Sequence, residues 1–142
     1  MPVEIRVKSI FSSRVQKATL LRIAKKTLRA EHASGSVTIY ITDNAEIRKL
    51  NRQFHGTNAP TDVLSFPFRR GGVTPPLHGD IVISYEQARA QARAVGWRIR
   101  DELELLTVHG ILHLLGYDDQ TPRARARMWK KQCKILGRKI PE

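Results

Sequence analysis

Apolar and polar positions alternate in short runs along this chain, and these runs are separated by segments of a different period. The run Val3-Glu4-Ile5-Arg6-Val7 alternates strictly, which predicts a half-buried strand. Three further short runs, rich in β-branched or apolar residues, predict strands over residues 37–41, 62–66 and 80–84. The glycine- and proline-rich stretch over residues 69–77 predicts a loop between the last two strands.

The segments between these strands place apolar residues at helical spacing and carry helix start signals. In chain order the predicted starts are Ser12-Ser13, Asp43 with Glu46 completing a capping box, about Tyr85, Asp101, and Thr121-Pro122. The first helix is predicted to run to about Ala30, and the fourth to end where Gly116 can act as a C-terminal cap. Because strands and helices interleave, we expect an α+β or α/β fold with about five helices and a single sheet.

The length of the chain suits one domain. A chain of 142 residues buries roughly 70% of its unfolded surface, so we expect a single domain over residues 1–142. No uninterrupted apolar run exceeds three residues, which argues against a membrane span and a signal-peptide core. The single cysteine, Cys133, has no partner for an internal disulfide. We therefore expect a reducing, cytoplasmic location.

The formal charge of +12 indicates that the protein binds an acidic partner. The segment from Thr121 to Glu142 holds eight lysines and arginines and one acidic residue, and the first predicted helix carries a second basic cluster. Nucleic acid is the leading candidate partner and an anionic membrane the second. Aromatic residues make up only 6% of the chain, so few platforms for stacking bases are expected.

Two histidines on the fourth predicted helix carry the most specific chemistry. His109 and His113 are four residues apart, which places their imidazoles on one helix face where they can share a metal ion. Asp118 or Asp119, beyond the turn at Gly116, can complete the coordination and leave a fourth position for water. The alternative is a pair of core histidines, each with a hydrogen-bond partner. A zinc peptidase would need a glutamate at position 110, where this chain has Gly110.

Three blocks of the sequence together resemble the YbeY family of metal-dependent bacterial endoribonucleases. The blocks are residues 109–118 (HGILHLLGYD), residues 50–54 (LNRQF) leading into 60–67 (PTDVLSFP), and residues 79–84 (GDIVIS). The resemblance implies a mixed four-stranded sheet flanked by helices and one Zn²⁺ bound in a His-x3-His-x5-His pattern. It also implies single-stranded RNA as substrate, in the maturation of the 3′ end of 16S rRNA and in ribosome biogenesis and quality control.

The chain departs from this family pattern at two positions. The third ligand falls at Asp119, so we expect a site of two histidines and one carboxylate, with Asp118 at a position that the family does not use as a ligand. His55 stands where the family usually has an arginine that contacts phosphate or stabilises charge. A histidine does this more weakly and in a way that depends on pH. His55 is therefore the predicted catalytic residue, and this substitution bears on the activity of the protein or on the pH dependence of that activity.

The resulting hypothesis is a zinc-dependent endoribonuclease acting on rRNA. This hypothesis predicts that Arg123, Arg127 and Lys130 bind the RNA backbone and that small-subunit ribosomal proteins are further candidate partners. By the same resemblance Asp62, Ser65 and Asp80 lie near the active cleft, although capping and strand-end hydrogen bonds explain Asp80 equally well. The alternative from another class is a ribosome-assembly factor that binds rRNA or a ribosomal protein and uses the metal only for its fold.

Overall fold

The computed structural model describes residues 3–68 and 77–141. Its elements, in chain order, are β1 (Val3–Val7), a short 3-10 turn (Ser9–Phe11), α1 (Lys17–Ala30), β2 (Gly35–Thr42), α2 (Asn44–His55), β3 (Val63–Pro67), β4 (Leu77–Ser84), α3 (Tyr85–Val95), α4 (Ile99–Leu114) and α5 (Pro122–Leu136). The loop predicted over residues 69–77 lies outside the described residues, except that Leu77 begins β4.

The four strands form one mixed sheet in the order β1-β2-β4-β3. β2 pairs in parallel with β1 and with β4, and β3 pairs antiparallel to β4. Five α-helices flank the sheet within the described residues. The expected α+β fold, with a mixed four-stranded sheet and about five helices, is confirmed. Within the described residues, no helix has the length and apolar character needed to cross a membrane.

The two faces of the sheet have different partners. One face presents Val37, Ile39, Ile41, Ile81 and Ile83, which join apolar residues of α1, α3 and α4 in the largest core cluster. The opposite face presents a smaller cluster in which α2 packs on β3 and β4. The side of the sheet that carries α4 therefore holds the larger part of the core.

Helix α4 is the central helix on this side of the sheet. It packs against α1, α3, α5, β3 and β4, and ten of its sixteen residues are buried. Gly110 lets α4 approach β4 closely, because a Cβ atom there would lie 2.7 Å from Cγ2 of Ile81. The Oγ of Ser65 on β3 also donates to the carbonyl oxygen of Gly110, at 3.2 Å. These contacts hold the histidine-bearing half of α4 against the edge of the sheet.

Two helix starts differ from those predicted. α4 begins at Ile99, two residues before the predicted start at Asp101, whose Oδ2 accepts the N–H of Arg98 at 3.1 Å. α1 begins at Lys17, because Ser12 closes the preceding 3-10 turn by donating its Oγ to the carbonyl of Ser9 at 2.8 Å. Asp43 caps α2 as predicted, since its Oδ1 accepts the Glu46 N–H at 2.9 Å. The reciprocal half of the capping box is wrong, because the Glu46 carboxylate instead accepts from Tyr40 and Thr42.

Candidate metal centre and its cavities

His109, His113 and Asp119 come together at the C-terminal end of α4. Each offers one ligand atom, and the three atoms lie within 4.8 Å of one another. The two rings meet edge to face with centroids 4.4 Å apart, as side chains four residues apart on a helix do. Both histidines are half-buried and Asp119 is exposed, so the group sits at the surface of the helix layer with one open side. Two imidazole nitrogens and a carboxylate oxygen can hold one metal ion.

The turn after α4 brings Asp119 back to the histidines. Gly116 has φ +100°, and the N–H groups of Gly116 and Tyr117 donate to the carbonyls of His113 and Leu112, both at 3.0 Å. This is the Schellman arrangement of a helix C-terminus, and it needs a residue that tolerates positive φ. The predicted helix stop at Gly116 is confirmed.

Of the two aspartates that follow the turn, Asp119 belongs to the ligand group and Asp118 does not. An oxygen of the Asp118 side chain accepts the N–H of Gln120 at 3.1 Å, so it closes the turn locally. The guanidinium of Arg125 donates to the carbonyl oxygen of Asp119 at 3.1 Å and ties the same turn to α5. The placement of Asp119 agrees with the alternative that the family pattern favours.

His109 is oriented by a residue that the sequence analysis did not single out. Its Nδ1 lies 2.7 Å from Oε1 of Gln132, a residue that is 4% exposed on α5. Since a carboxamide oxygen only accepts, Nδ1 carries the proton and Nε2 keeps the lone pair that binds metal. Burial, aided by the neighbouring His113, lowers the pKa of His109 against the opposing effect of this hydrogen bond. The lowered pKa favours the neutral form of the ring, which is the form that binds a metal ion.

One cavity, of about 430 Å³, opens between the metal-binding group and the sheet edge. The three candidate ligands line it together with residues of β3 and with His55, the last residue of α2. The exposed ring of His55 stacks near Phe66, with centroids 6.0 Å apart. The structure thus places the predicted catalytic histidine on the same cavity as His109, His113 and Asp119.

A second cavity, of about 230 Å³, lies between α4 and α5. His109, Asp119 and Asp62 line it as well as the first cavity. Glu102 also lines it and is only 6% exposed. Burial, together with the nearby charge of Asp62, raises the pKa of Glu102 to about 7. Sequence analysis missed Glu102, because an acidic residue in the first turn of a helix is common without any special role.

The predicted RNA-binding residues of α5 lie elsewhere. Arg123, Arg127 and Lys130 are exposed, and none of them is among the residues that line the two cavities. The guanidinium of Arg127 lies 5.0 Å from the ring centroid of Tyr117, beside a separate surface cavity. Arg125 is instead the α5 cation that lines the cavity containing Glu102.

The three softer candidates are placed on different faces of the sheet. Asp62 and Ser65 line the larger cavity beside the metal-binding group. Asp80 pairs in register with Phe66, two residues along β4 from Val82, so it lies on the face that packs against α2. That is the face opposite to α4, so the structure does not bring Asp80 to the metal-binding group. β4 begins at Leu77, so Asp80 also lies inside the strand and not at its end.

Comparison with known proteins finds similar sequences that share one family name. The family model "Endoribonuclease YbeY" matches residues 4–139. An "Endoribonuclease YbeY" of Sulfurihydrogenibium sp. is 40% identical over 134 residues, covering 92% of this chain and 88% of the relative. A protein of the same name from Roseiflexus castenholzii is 39% identical over 144 residues, covering 95% of this chain and 91% of the relative.

A solved structure shares the fold. The solution structure of TM1509 from Thermotoga maritima aligns with a TM-score of 0.60 and 25% sequence identity, covering 95% of this chain and 89% of that one. The match of the family model over nearly the whole chain, together with relatives of about 40% identity, agrees with the resemblance seen in the three sequence blocks. The chain belongs to the endoribonuclease YbeY family.

Proposed function

We propose that this chain is a zinc-dependent endoribonuclease that cleaves single-stranded RNA. The observation that carries the proposal is the His109, His113 and Asp119 group, whose ligand atoms lie within 4.8 Å of one another on a shared cavity. Family membership supplies the reaction class, because the relatives that match it over most of its length are named endoribonucleases. The finer role is the maturation of the 3′ end of 16S rRNA during ribosome biogenesis, in the cytoplasm.

The donor set fits zinc. Two imidazoles and one carboxylate leave a position open for water or substrate, which is the pattern of catalytic zinc sites. A Zn²⁺ ion bound there would polarise a phosphate oxygen and make a bound water more acidic. Gln132 keeps His109 in the tautomer that such a site needs, through the hydrogen bond of 2.7 Å at Nδ1.

The residues around the group would hold the RNA. His55, on the same cavity, can donate a hydrogen bond to a phosphate oxygen of the scissile linkage. Arg123, Arg127 and Lys130 would bind backbone phosphates further along the strand. A net charge of +12 favours this partner, and the binding should weaken steeply with salt. Small-subunit ribosomal proteins are the further partners that a role in ribosome assembly would involve.

Cleavage of a labelled single-stranded RNA, with and without Zn²⁺, tests this proposal. We expect cleavage that requires the metal and is lost in His113→Ala, while RNA binding in a chelator persists. His78→Ala is the matched control, because His78 is an exposed histidine on β4 whose ring contacts Ser36. RNA binding without any metal-dependent cleavage by the unaltered chain would favour the ribosome-assembly factor instead.

A further inference from the structure

The cavity between α4 and α5 is lined in part by side chains that have no role in the reaction proposed above, Glu102 and Trp129 among them. Its volume of about 230 Å³ is below the roughly 300–1,000 Å³ of pockets for drug-sized ligands, so it suits one small ring system. Both apolar and charged side chains line it: Asp62, Glu102, Leu105, Leu106, His109, Asp119, Arg125, Met128, Trp129 and Gln132.

The apolar part of this lining suits a flat aromatic ligand. Leu105 and Leu106 on α4 face the cavity from one side, and Met128 and Trp129 on α5 face it from the other. Stacking of a base on an aromatic side chain contributes about 1–3 kcal/mol per base. Trp129 is half-buried, so part of its surface is free for such a contact.

The polar part of the lining contains carboxylates, one arginine and the side-chain amide of Gln132. Within the described residues, no side chain donates a hydrogen bond to the carboxylate of Glu102, although this residue is only 6% exposed. A buried carboxylate without a donor is costly, and a ligand that brings donors removes that cost. Asp62 and Asp119 add two further carboxylates, and Arg125 is the basic residue among those that line the cavity.

Guanine matches this set better than uracil does. Its N1–H and its exocyclic amino group are adjacent donors that one carboxylate can accept together, and its O6 and N7 are acceptors for a guanidinium. Uracil offers one N–H between two carbonyl oxygens, which would face a carboxylate with repulsion on either side. From the cavity, the carboxylate of Glu102 and the guanidinium of Arg125, we propose that this cavity binds one nucleobase of the RNA substrate and prefers guanine.

The position of the cavity relates this base to the reacting phosphate. His109 and Asp119 line one end, and Glu102 lies seven residues before His109 on the same helix, about 10 Å along its axis. A base at Glu102 and a phosphate at the histidines can therefore belong to the same or adjacent nucleotides. The inference rests on the proposed RNA substrate, and it adds a sequence preference at one position beside the cleavage site.

Fluorescence of Trp129 tests the inference without any cleavage. The chain has two tryptophans, and Trp97→Phe leaves Trp129 as the only reporter. Guanosine 5′-monophosphate and uridine 5′-monophosphate are titrated into this variant in a chelator, so that their shared phosphate group cancels in the comparison. We expect the guanosine nucleotide to change the emission and to bind about tenfold more tightly.

Two further variants separate recognition from a general charge effect. Glu102→Gln replaces one of the two carboxylate oxygens by an NH2 group, so the side chain can no longer accept from both donors of guanine, and we expect it to abolish the preference for guanosine. Glu104→Gln removes the same charge from α4, where it pairs with Arg138 away from the cavity, and should leave the preference unchanged. Absence of any guanosine preference in the Trp97→Phe chain, or its survival in Glu102→Gln, would overturn the inference.

The outcome is distinguishable from a failure of the nuclease itself. Guanosine binding that is lost in Glu102→Gln supports the base site even if no RNA is cleaved. Metal-dependent cleavage with equal rates at all four bases, together with no guanosine preference in the titration, refutes the base site and leaves the nuclease intact.

Discussion

Replacing Glu102 by glutamine removes a carboxyl group that the fold holds almost entirely out of water. Glutamine has nearly the same shape and cannot ionise, so the substitution isolates the cost of the buried charge. Burial and the nearby Asp62 raise the pKa of Glu102 from 4.5 to about 7 in the folded chain. In the unfolded chain the same carboxyl is solvated and titrates near its ordinary value.

The sign of the effect follows from proton binding. Between these two pKa values the folded state holds a proton that the unfolded state has lost, so stability falls as the pH rises through this window. At about 1.4 kcal/mol per pKa unit, the difference between 4.5 and about 7 corresponds to about 3 kcal/mol above the window. Below the window the carboxyl is protonated in both states and contributes nothing. Glu102→Gln should therefore match the unaltered chain at low pH and exceed its stability by up to about 3 kcal/mol at high pH.

Urea denaturation followed by circular dichroism, in a chelator, measures this difference at several values between about pH 4.5 and about pH 8. Glu104→Gln controls for the loss of a negative charge from α4 and should show no gain that grows with pH. A Glu102→Gln chain that is no more stable than the unaltered chain at about pH 8 would refute the reasoning. It would mean that the ionised carboxylate finds compensation in the folded chain.

Substitutions at three more positions test the geometry of the site. Gln132→Met removes the acceptor for Nδ1 of His109 and should weaken Zn²⁺ binding about 10- to 100-fold in a chelator competition, whereas Gln132→Glu should retain it. Gly110→Ala places a methyl group 2.7 Å from the buried Ile81 and should destabilise the chain by about 1–3 kcal/mol in urea, and unchanged stability would contradict that contact. His55→Arg adds a permanent charge and a fork of donors beside the ligands, and should lower the KM for RNA about tenfold; an unchanged KM would remove His55 from the substrate.

Periodicity and local signals predicted most of what positions the ligands. The spacing of His109 and His113 places them on one face of any helix, and Gly116 marks a turn whose hydrogen bonds depend only on nearby residues. The resemblance to the family then singled out Asp119 over Asp118, which spacing alone had left open. These features could be read from the sequence because each involves a single helix end.

Features that depend on packing between distant elements were not predictable in this way. Gln132 occupies the buried stripe of α5 with Met128 and Ile135, and only the packing of α5 on α4 puts it beside His109. In the sequence, Glu102 is an ordinary acidic residue near a helix start. Only the folded chain places Asp62 and residues of α5 around the same cavity. A polar residue on an apolar stripe, as at Gln132, is the one signal that could have prompted a closer look.

Side-chain direction also separated the basic residues of α5. All of them add to the same positive charge, but the phase of the helix turns Arg125 toward the cavity. Arg127 instead lies over Tyr117. The sequence also predicts a start for α1 that is too early along the chain. Phe11 and Val15 are both buried, and the chain makes a 3-10 turn before the helix begins.

Calorimetric titration of Zn²⁺ into the metal-free chain tests the central claim most directly, with Asp119→Asn and Asp118→Asn measured beside it. Asp119 lies in the ligand group, whereas Asp118 closes the turn through Gln120. We expect one ion per unaltered chain and the same binding in Asp118→Asn, with affinity at least about tenfold weaker in Asp119→Asn. Equal affinity in Asp119→Asn and the unaltered chain, or no binding by the unaltered chain, would contradict the metal centre on which the proposed nuclease depends.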